Sequence, residues 1–500
     1  MKILTSQQIK LADEFTIKNE PISSIDLMER AATRCFDWIK IHYKIENSFS
    51  IFCGVGNNGG DGLVIARLLA ENQYQVKVFV VEFSKKYSND FELNLEKLKK
   101  TKVEIVILTE NDFQFKIPIN TIVVDAIFGS GLNKPIDGFV AKIIHQINSH
   151  QIVSIDIPSG LFCEDNQNNN SKNIITARYT LTFQQPKLAM MFPQNDLYFG
   201  ECSILPIGLH PDFIKKINTN YFFTTKQDVK ELVAPRKKYS HKGIYGHALL
   251  VTGSYGKMGS AVLSSKACLR TGVGLLTTHV PKEGVQIIQT SIPEAMCSAS
   301  YEDKFIADIP LLDNYDAIGV GPGIGMDKPT QNALKLLIQN AKNPMVIDAD
   351  AINILSENKT WLAFLPNLCI LTPHPKEFER LVGKWNNDEE RLALQIDFSV
   401  KNNVIVVLKG AHTSISTPEG HVFFNSSGNP GMATAGAGDV LTGIITSFLA
   451  QGYLPEKAAI FGVYIHGVAG DIAVENIGEE ALIASDIIEN LPQAFGWVKI

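Results

Sequence analysis

Residues 49–83 read FSIFCGVGNNGGDGLVIARLLAENQYQVKVFVVEF. An apolar run, FSIFCGV (49–55), breaks into glycines. A helical stretch, GDGLVIARLLAENQ (60–73), follows at once, with Leu63, Ala66, Arg67 and Ala70 along one side. A second β-branched run, QVKVFVVEF (75–83), closes the unit. Two strands joined through a helix run parallel, so this βαβ pattern commits the first half to a parallel sheet. NTIVVDAIFG (120–129) and QIVSIDIPSG (151–160) read as two more strands, each running into a glycine-containing loop.

The rhythm restarts in the second half. HALLVTGS (247–254) is a strand and turn, and SAVLSSKACLRTGVG (260–274) is a helix ending in glycines. YDAIGVGPGIG, PMVIDADAINIL and NLCILTPHPKEFERL each take a strand into a loop or helix. VIVVLKGAHTSIS and HVFFNSSGNPG have hairpin character. At roughly 100–200 residues per domain, 500 residues accommodate two or three. The predicted organisation is α/β throughout: a first domain over 1–212, a connection over 213–240 and a second domain over 241–500.

GVGNNGGDG (54–62) contains GxGxxG at Gly54, Gly56 and Gly59, between a strand and a helix. Glu82 ends the next strand, where a ribose-binding carboxylate is expected in a dinucleotide site. The loop also carries Asn57, Asn58 and Asp61, which a pyrophosphate does not need. An acid beside a phosphate is unfavourable unless a cation or a neutral group sits there. Ligands of open parallel sheets bind outside the C-terminal strand ends. Two other strand ends supply Asp125, Asp156 and Ser159. Oxygen donors of this kind suit a hard cation rather than zinc. Taken singly, each such residue serves equally well as a helix or turn cap; three clusters at three strand ends point to a site.

Near the C-terminus NPGMATAGAGDVLTG (429–443) sets GAGD (436–439) before an apolar helix. Unpaired amides of such a first turn converge on one point and can hold a transferring phosphoryl group. Asp439 is placed to take a proton from an attacking hydroxyl, or else to cap the helix. KGAHT (409–413) can meet a nucleotide through backbone groups and Thr413. No GxxxxGK[ST] loop is present. His374 ends one strand and opens a helix, as a cap or as a ligand contact. Asp348 and Asp350 end another strand, to hold Mg²⁺ through water or to cap the helix that follows.

Net charge is −6, so no general affinity for nucleic acid follows. Seven scattered cysteines without a CxxC pair predict free thiols and a cytoplasmic location rather than zinc or disulfides. The opening MKILTSQQIKLADEF lacks a signal pattern, and an uninterrupted membrane-spanning run is not expected.

These motifs resemble two families. PISSIDLMERAA (21–32), GNNGGDG, VVDAIFGSGL and SIDIPSG look like NAD(P)H-hydrate epimerase, with a Rossmann-like domain. LLVTGS, MGSAVLSSKACLRTGVG, GVGPGIG, LTPHPKEFERL and NPGMATAGAGDVLTG look like ADP-dependent NAD(P)H-hydrate dehydratase, a ribokinase-like fold. Their order resembles the bifunctional repair family, over nearly the whole chain. The resemblance implies that hydrates of NADH and NADPH, with water at C6 of the nicotinamide ring, are interconverted between R and S forms. The S form is then dehydrated while ADP gives AMP and phosphate.

For the epimerase half the resemblance implies hydrate contacts at Asn57, Asn58, Gly59, Gly60 and Asp61, at Gly129, Ser130, Gly131, Leu132, Asn133, Lys134 and Pro135, and at Asp156, the expected acid–base residue. Potassium falls on Asn58, Asp125 and Ser159. For the dehydratase half it implies hydrate contacts at Ala261, Gly323, His374 and Asp439, the last as base. Nucleotide contacts fall on Lys409, Gly410, Ala411, His412, Thr413 and Gly438, with Mg²⁺ accompanying ADP. A homo-oligomer is expected, with neither nucleic acid nor membrane as partner. Two departures stand out: Lys376 replaces the glycine of the usual TPHPGE, and AGAGD replaces GGSGD. The second moves toward the sugar-kinase form, so a ribokinase-like small-molecule kinase fused to a dinucleotide-binding domain is the alternative.

Overall fold

The structure is a computed structural model that describes all 500 residues. It divides into two compact units: Lys2–Tyr221 with Asn387–Glu389, and Phe222–Asn386 with Glu390–Ile500 and Met1.

The first unit is built on seven strands: β1 Ser48–Cys53, β2 Gln75–Val81, β3 Glu104–Leu108, β4 Ile122–Ala126, β5 Ile152–Ile155, β6 Tyr179–Phe183 and β7 Glu201–Leu205. Their order is β3-β2-β1-β4-β5-β6-β7, and every pairing is parallel. Side chains alternate across each strand. Ile51, Val78 and Val124 therefore enter one core cluster with the helices Ser24–His42 and Asn57–Glu71. Phe52, Phe79 and Val123 enter another with the helix Gly138–Ile147. Burial on both faces explains why the strands read as continuous apolar runs. The strand order reverses between β1 and β4, which opens a crevice at their C-terminal ends.

The second unit has ten strands: β8 Tyr221–Thr224, β9 His247–Val251, β10 Leu275–Val280, β11 Met296–Ala299, β12 Ala317–Val320, β13 Met345–Ile347, β14 Ile370–Leu371, β15 Ile405–Leu408, β16 Ser414–Ser416 and β17 Val422–Asn425. The order is β11-β10-β9-β12-β13-β14-β15-β16-β17-β8. The pairings from β11 to β15 are parallel, and the hairpin strands β16 and β17 are antiparallel. The helices Met258–Arg270 and Ala437–Ala450 pack closely: a Cβ on Gly443 would lie 2.1 Å from the Ser264 carbonyl oxygen.

Two details differ from the sequence expectation. The segment 213–240 is more than a connection with one short helix, because YFFT within it forms β8 at the edge of the second sheet. The helix Pro455–Ile477 is long and apolar enough to cross a membrane by length and composition, yet 72% of that window is buried inside the protein. Its Gly, His and Asp residues disguise the apolar run in the sequence; Val463, Ile465, Val468 and Ala469 sit in the core of the second unit.

Candidate active sites

The first site is a cavity of about 680 Å³ at the β1/β4 crevice. Its floor depends on glycine. A Cβ on Gly59 would lie 1.7 Å from the Gly54 carbonyl oxygen, and one on Gly54 would lie 2.0 Å from that of Ile127. Only bare backbone lets the helix Asn57–Glu71 start this close to the strand ends. Gly56, Asn57, Asn58 and Asp61 line the cavity with Gly129, Ser130, Gly131, Leu132, Asn133 and Asp156. Lys134 and Pro135 lie outside this lining. Gly60 instead faces the Met28 sulfur, 2.6 Å from where its Cβ would be.

Glu82 is likewise outside the cavity lining, and its carboxylate is taken by Lys85 and Tyr87. With Glu82 so engaged, the GxGxxG loop lacks the ribose partner of a dinucleotide dehydrogenase.

Asp156 is buried, at a positive φ of 68°. Its Oδ1 pairs with the buried Lys187 Nζ at 2.8 Å and accepts from the Phe183 amide at 3.4 Å; Oδ2 accepts from the Ser130 amide at 3.2 Å. Burial pushes its pKa up, but the Lys187 charge and these hydrogen bonds outweigh it and hold the carboxyl below its ordinary value. Lys187, from PKLAMMF, left no periodic signal in the sequence. Only its isolation in an apolar run sets it apart.

Asp125 is fully buried. Its oxygens accept from the Ser159 hydroxyl at 2.5 Å, the Ser159 amide at 2.8 Å and the Ser154 hydroxyl at 2.8 Å. All these donors are neutral, and burial leaves the carboxyl above its ordinary pKa despite them. A Cβ on Gly129 would sit 3.2 Å from Asn58 Oδ1, while the neighbouring Phe128 amide donates to Ser159 Oγ at 2.8 Å. Asp125 and Ser159 thus meet at a buried carboxylate with no cationic partner, and oxygen donors of this kind suit a hard cation. The buried Nδ2 of Asn58 and Nε2 of Gln185 lack protein partners, and both residues line the cavity. Such orphaned donors call for a polar ligand.

In the second unit, Gly436 takes φ 88° and opens the helix Ala437–Ala450, so Asp439 lies inside the first turn and is not its cap. The amides of Gly438 and Asp439 make no backbone hydrogen bond. Free amides at a helix start can hold an anion. A Cβ on Gly438 would lie 3.3 Å from Lys409 Nζ and 3.9 Å from Asp348 Oδ2.

Lys409 pairs with buried Asp348 at 3.0 Å, and Thr442 donates to the other Asp348 oxygen at 2.7 Å. Asp348 precedes the helix Ala349–Glu357 without a capping side-chain bond. Burial pushes Asp439 up to about 6; Ser260 pulls it down, Asp348 pushes it up and Lys409 pulls it down. Asp350 accepts from the Gly325 amide at 2.8 Å and pairs with Lys257 at 3.1 Å. Ser260 and Thr442 escape a sequence reading because short polar residues on a helix carry no signal of where they point, and Lys257 escapes it as a lysine just before its helix.

The remaining expected residues have contacts of their own. Ala261 is buried, with its methyl 3.1 Å from the Cβ position of Gly253. Gly323, at φ 66°, accepts from Ser254 Oγ through its carbonyl at 2.7 Å. His374 caps the helix Pro375–Val382: its Nδ1 accepts from the Lys376 and Glu377 amides, which places its proton on Nε2, 3.3 Å from Glu377. Burial and then Lys409 hold its pKa down, so the ring is neutral. Thr413 closes the 409–413 loop on Gly410, and His412 Nδ1 lies 2.9 Å from the Asn425 carbonyl. Ala411 is exposed at the tip of that loop.

A family model described as NAD(P)H-hydrate dehydratase matches residues 248–493, and one described as YjeF-related protein N-terminus matches 24–189. The bifunctional NAD(P)H-hydrate repair enzyme Nnr of Moorella thermoacetica is 35% identical over 98% of this chain and 96% of its own length. That of Escherichia coli K12 is 30% identical over 93% and 88%. The crystal structure of the ADP/ATP-dependent NAD(P)H-hydrate dehydratase from Bacillus subtilis, co-crystallised with ATP/Mg²⁺, is 30% identical. It covers 56% of this chain and 100% of its own, at a TM-score of 0.50.

Proposed function

The chain belongs to the bifunctional NAD(P)H-hydrate repair enzymes, and from that membership we propose which residues carry each of its two reactions. The enzyme interconverts the R and S hydrates and dehydrates the S hydrate to NAD(P)H, with ADP giving AMP and phosphate. The observation that carries the residue assignment is the pairing in the second unit of a carboxyl without an ion pair, Asp439, with free amides and a lysine at one helix start.

Hydroxide is a poor leaving group, and its phosphate ester is a good one. Asp439 takes the proton of the C6 hydroxyl as that oxygen bonds to the terminal phosphorus of ADP and the bond to AMP breaks. The Gly438 and Asp439 amides and Lys409 hold the charge on the transferring phosphoryl group. The C6–O bond then breaks with help from the ring nitrogen lone pair. Phosphate leaves, the C5 proton is lost and the C5=C6 bond forms.

Mg²⁺ with the nucleotide neutralises phosphate charge. Asp350 offers it an oxygen, whereas both oxygens of Asp348 are committed to Lys409 and Thr442. In the first unit, Asp156 serves as the base of the epimerisation, and Asn58 and Gln185 offer donors to the hydrate. Potassium would sit among Asn58, Asp125 and Ser159, supplying the positive charge that buried Asp125 lacks.

The test is purified protein with mixed R and S hydrates, with and without ADP and K⁺, followed by chromatography. Consumption of both epimers with release of inorganic phosphate is expected. Potassium omission should slow only the R form. A stable phosphorylated product would instead support the kinase alternative.

A further inference from the structure

Inverting C6 requires a bond at that carbon to break and reform. A proton must reach the departing oxygen, and another must leave the incoming water. Asp156, held ionised by Lys187, can accept a proton but has none to give. Lys187 is 1% exposed and is committed to Asp156 and to the carbonyls of Phe183 and Gln185. The other titratable side chains lining the cavity are Lys10, Asp13 and Asp61.

Asp61 and Asp13 differ in a way that selects between them. Asp61 is 8% exposed and sits close enough to the buried thiols of Cys35 and Cys53 to raise both. Burial, then Asp156 and Asp13, push Asp61 above its ordinary value, and its burial leaves it little solvent from which to recover a proton once given. Asp13 comes from the helix Ser6–Asn19, is half-buried, and has no hydrogen bond or ion pair to occupy it.

We propose that Asp13 is the proton donor of the epimerisation, with Asp156 as its base. This rests on the epimerase reading of the first unit. Asp13 gives its proton to the C6 hydroxyl as the C6–O bond breaks, the ring nitrogen lone pair forms the C=N bond, and water leaves. A water then bonds to C6 from the opposite face, the C=N electrons return to nitrogen, and its extra proton passes to Asp156. Transfer from Asp156 to Asp13 through solvent restores both groups.

Burial and then the Asp156 charge raise Asp13 to about 7, with Lys187 opposing and Glu14 adding to the rise. Lys10 and Asp61 are the other charged or titratable groups on the same cavity. A donor poised near neutrality both carries its proton and releases it.

The chain holds its own control, since the second reaction runs on S hydrate alone. In Asp13→Asn the R-to-S rate should fall by about 10²-fold or more, with KM for R hydrate and the rate of S-hydrate dehydration unchanged. In the wild type the R-to-S rate should fall as pH rises through about 7, where the donor loses its proton; the variant should be flat there. Asp13→Glu should recover part of the rate and the pH dependence. A wild-type R-to-S rate in Asp13→Asn, or an unaltered pH profile, overturns the proposal. Failure of the wild-type chain to interconvert the epimers overturns the epimerase reading beneath it.

Discussion

The two units each bury an aspartate–lysine pair, and the partners are chosen differently. In the first, Lys187 pairs with Asp156, the residue expected to act on the hydrate. In the second, Lys409 pairs with Asp348 and leaves the acting residue, Asp439, without an ion pair of its own. The consequence is opposite: Asp156 is held below its ordinary value, while Asp439 rises to about 6. A lysine on the reacting carboxylate keeps it ionised at neutral pH and makes it a weak base. A lysine one residue away serves the incoming phosphate and leaves the carboxylate basic enough to take a hydroxyl proton.

The largest effect that would break this contrast lies at Asp439. Asp439→Asn should lower S-hydrate dehydration by about 10²–10⁴-fold, the usual contribution of a general base, with R-to-S conversion intact and nucleotide binding retained by calorimetry. In the wild type, dehydration should fall as pH drops through about 6, because the base form of Asp439 is then lost. Turnover at the wild-type rate in the variant would remove Asp439 from the chemistry.

Next in size is Lys187→Met, which strands Asp156 in the interior. Breaking a buried pair from one side costs about 3–5 kcal/mol, read by urea unfolding of the first unit. Asp156 has a depressed folded pKa, so in the wild type the pair's contribution is complete above the ordinary value of 3.8 and is lost as pH falls further. In the variant the stranded Asp156 takes up a proton on acidification, so its deficit should narrow as pH falls. A stability equal to wild type at neutral pH would mean the pair is not needed to bury Asp156.

The smallest effect sharpens the second pair. Thr442→Val removes the hydroxyl on Asp348 and should cost about 1–3 kcal/mol for an acceptor left unsatisfied. Lys409 would then be pulled closer to Asp348, so KM for ADP should rise while kcat changes little. A fall in kcat alone would place Thr442 in the chemistry rather than in holding the lysine.

Glycine loops and strand-end acids were legible in the sequence because their signals are local. GNNGGDG follows a strand, GNNGGDG and GAGD each open a helix, and backbone contacts of 2.0 and 1.7 Å to the Cβ positions of Gly54 and Gly59 explain the glycines of the first loop directly. Asp125 and Ser159 could be grouped because both end parallel strands, and their 2.5 Å contact follows from adjacency of β4 and β5. Less legible were Lys187 and Asp13. One lies in an irregular stretch and the other on a helix before the first strand, and neither position announces a cavity. His374 read equally as cap or ligand, and in the structure its Nδ1 caps two helix amides.

By itself the sequence determined the two parallel α/β frames, their order along the chain and the family, since periodicity and glycine spacing are written residue by residue. Which charges meet was decided only by the tertiary structure. Lys187 lies 31 residues from Asp156, and Lys409 lies 61 from Asp348. Pairing across such distances depends on how strands and helices pack. That packing also excludes the water that would otherwise level the acidities of Asp13, Asp61, Asp156 and Asp439.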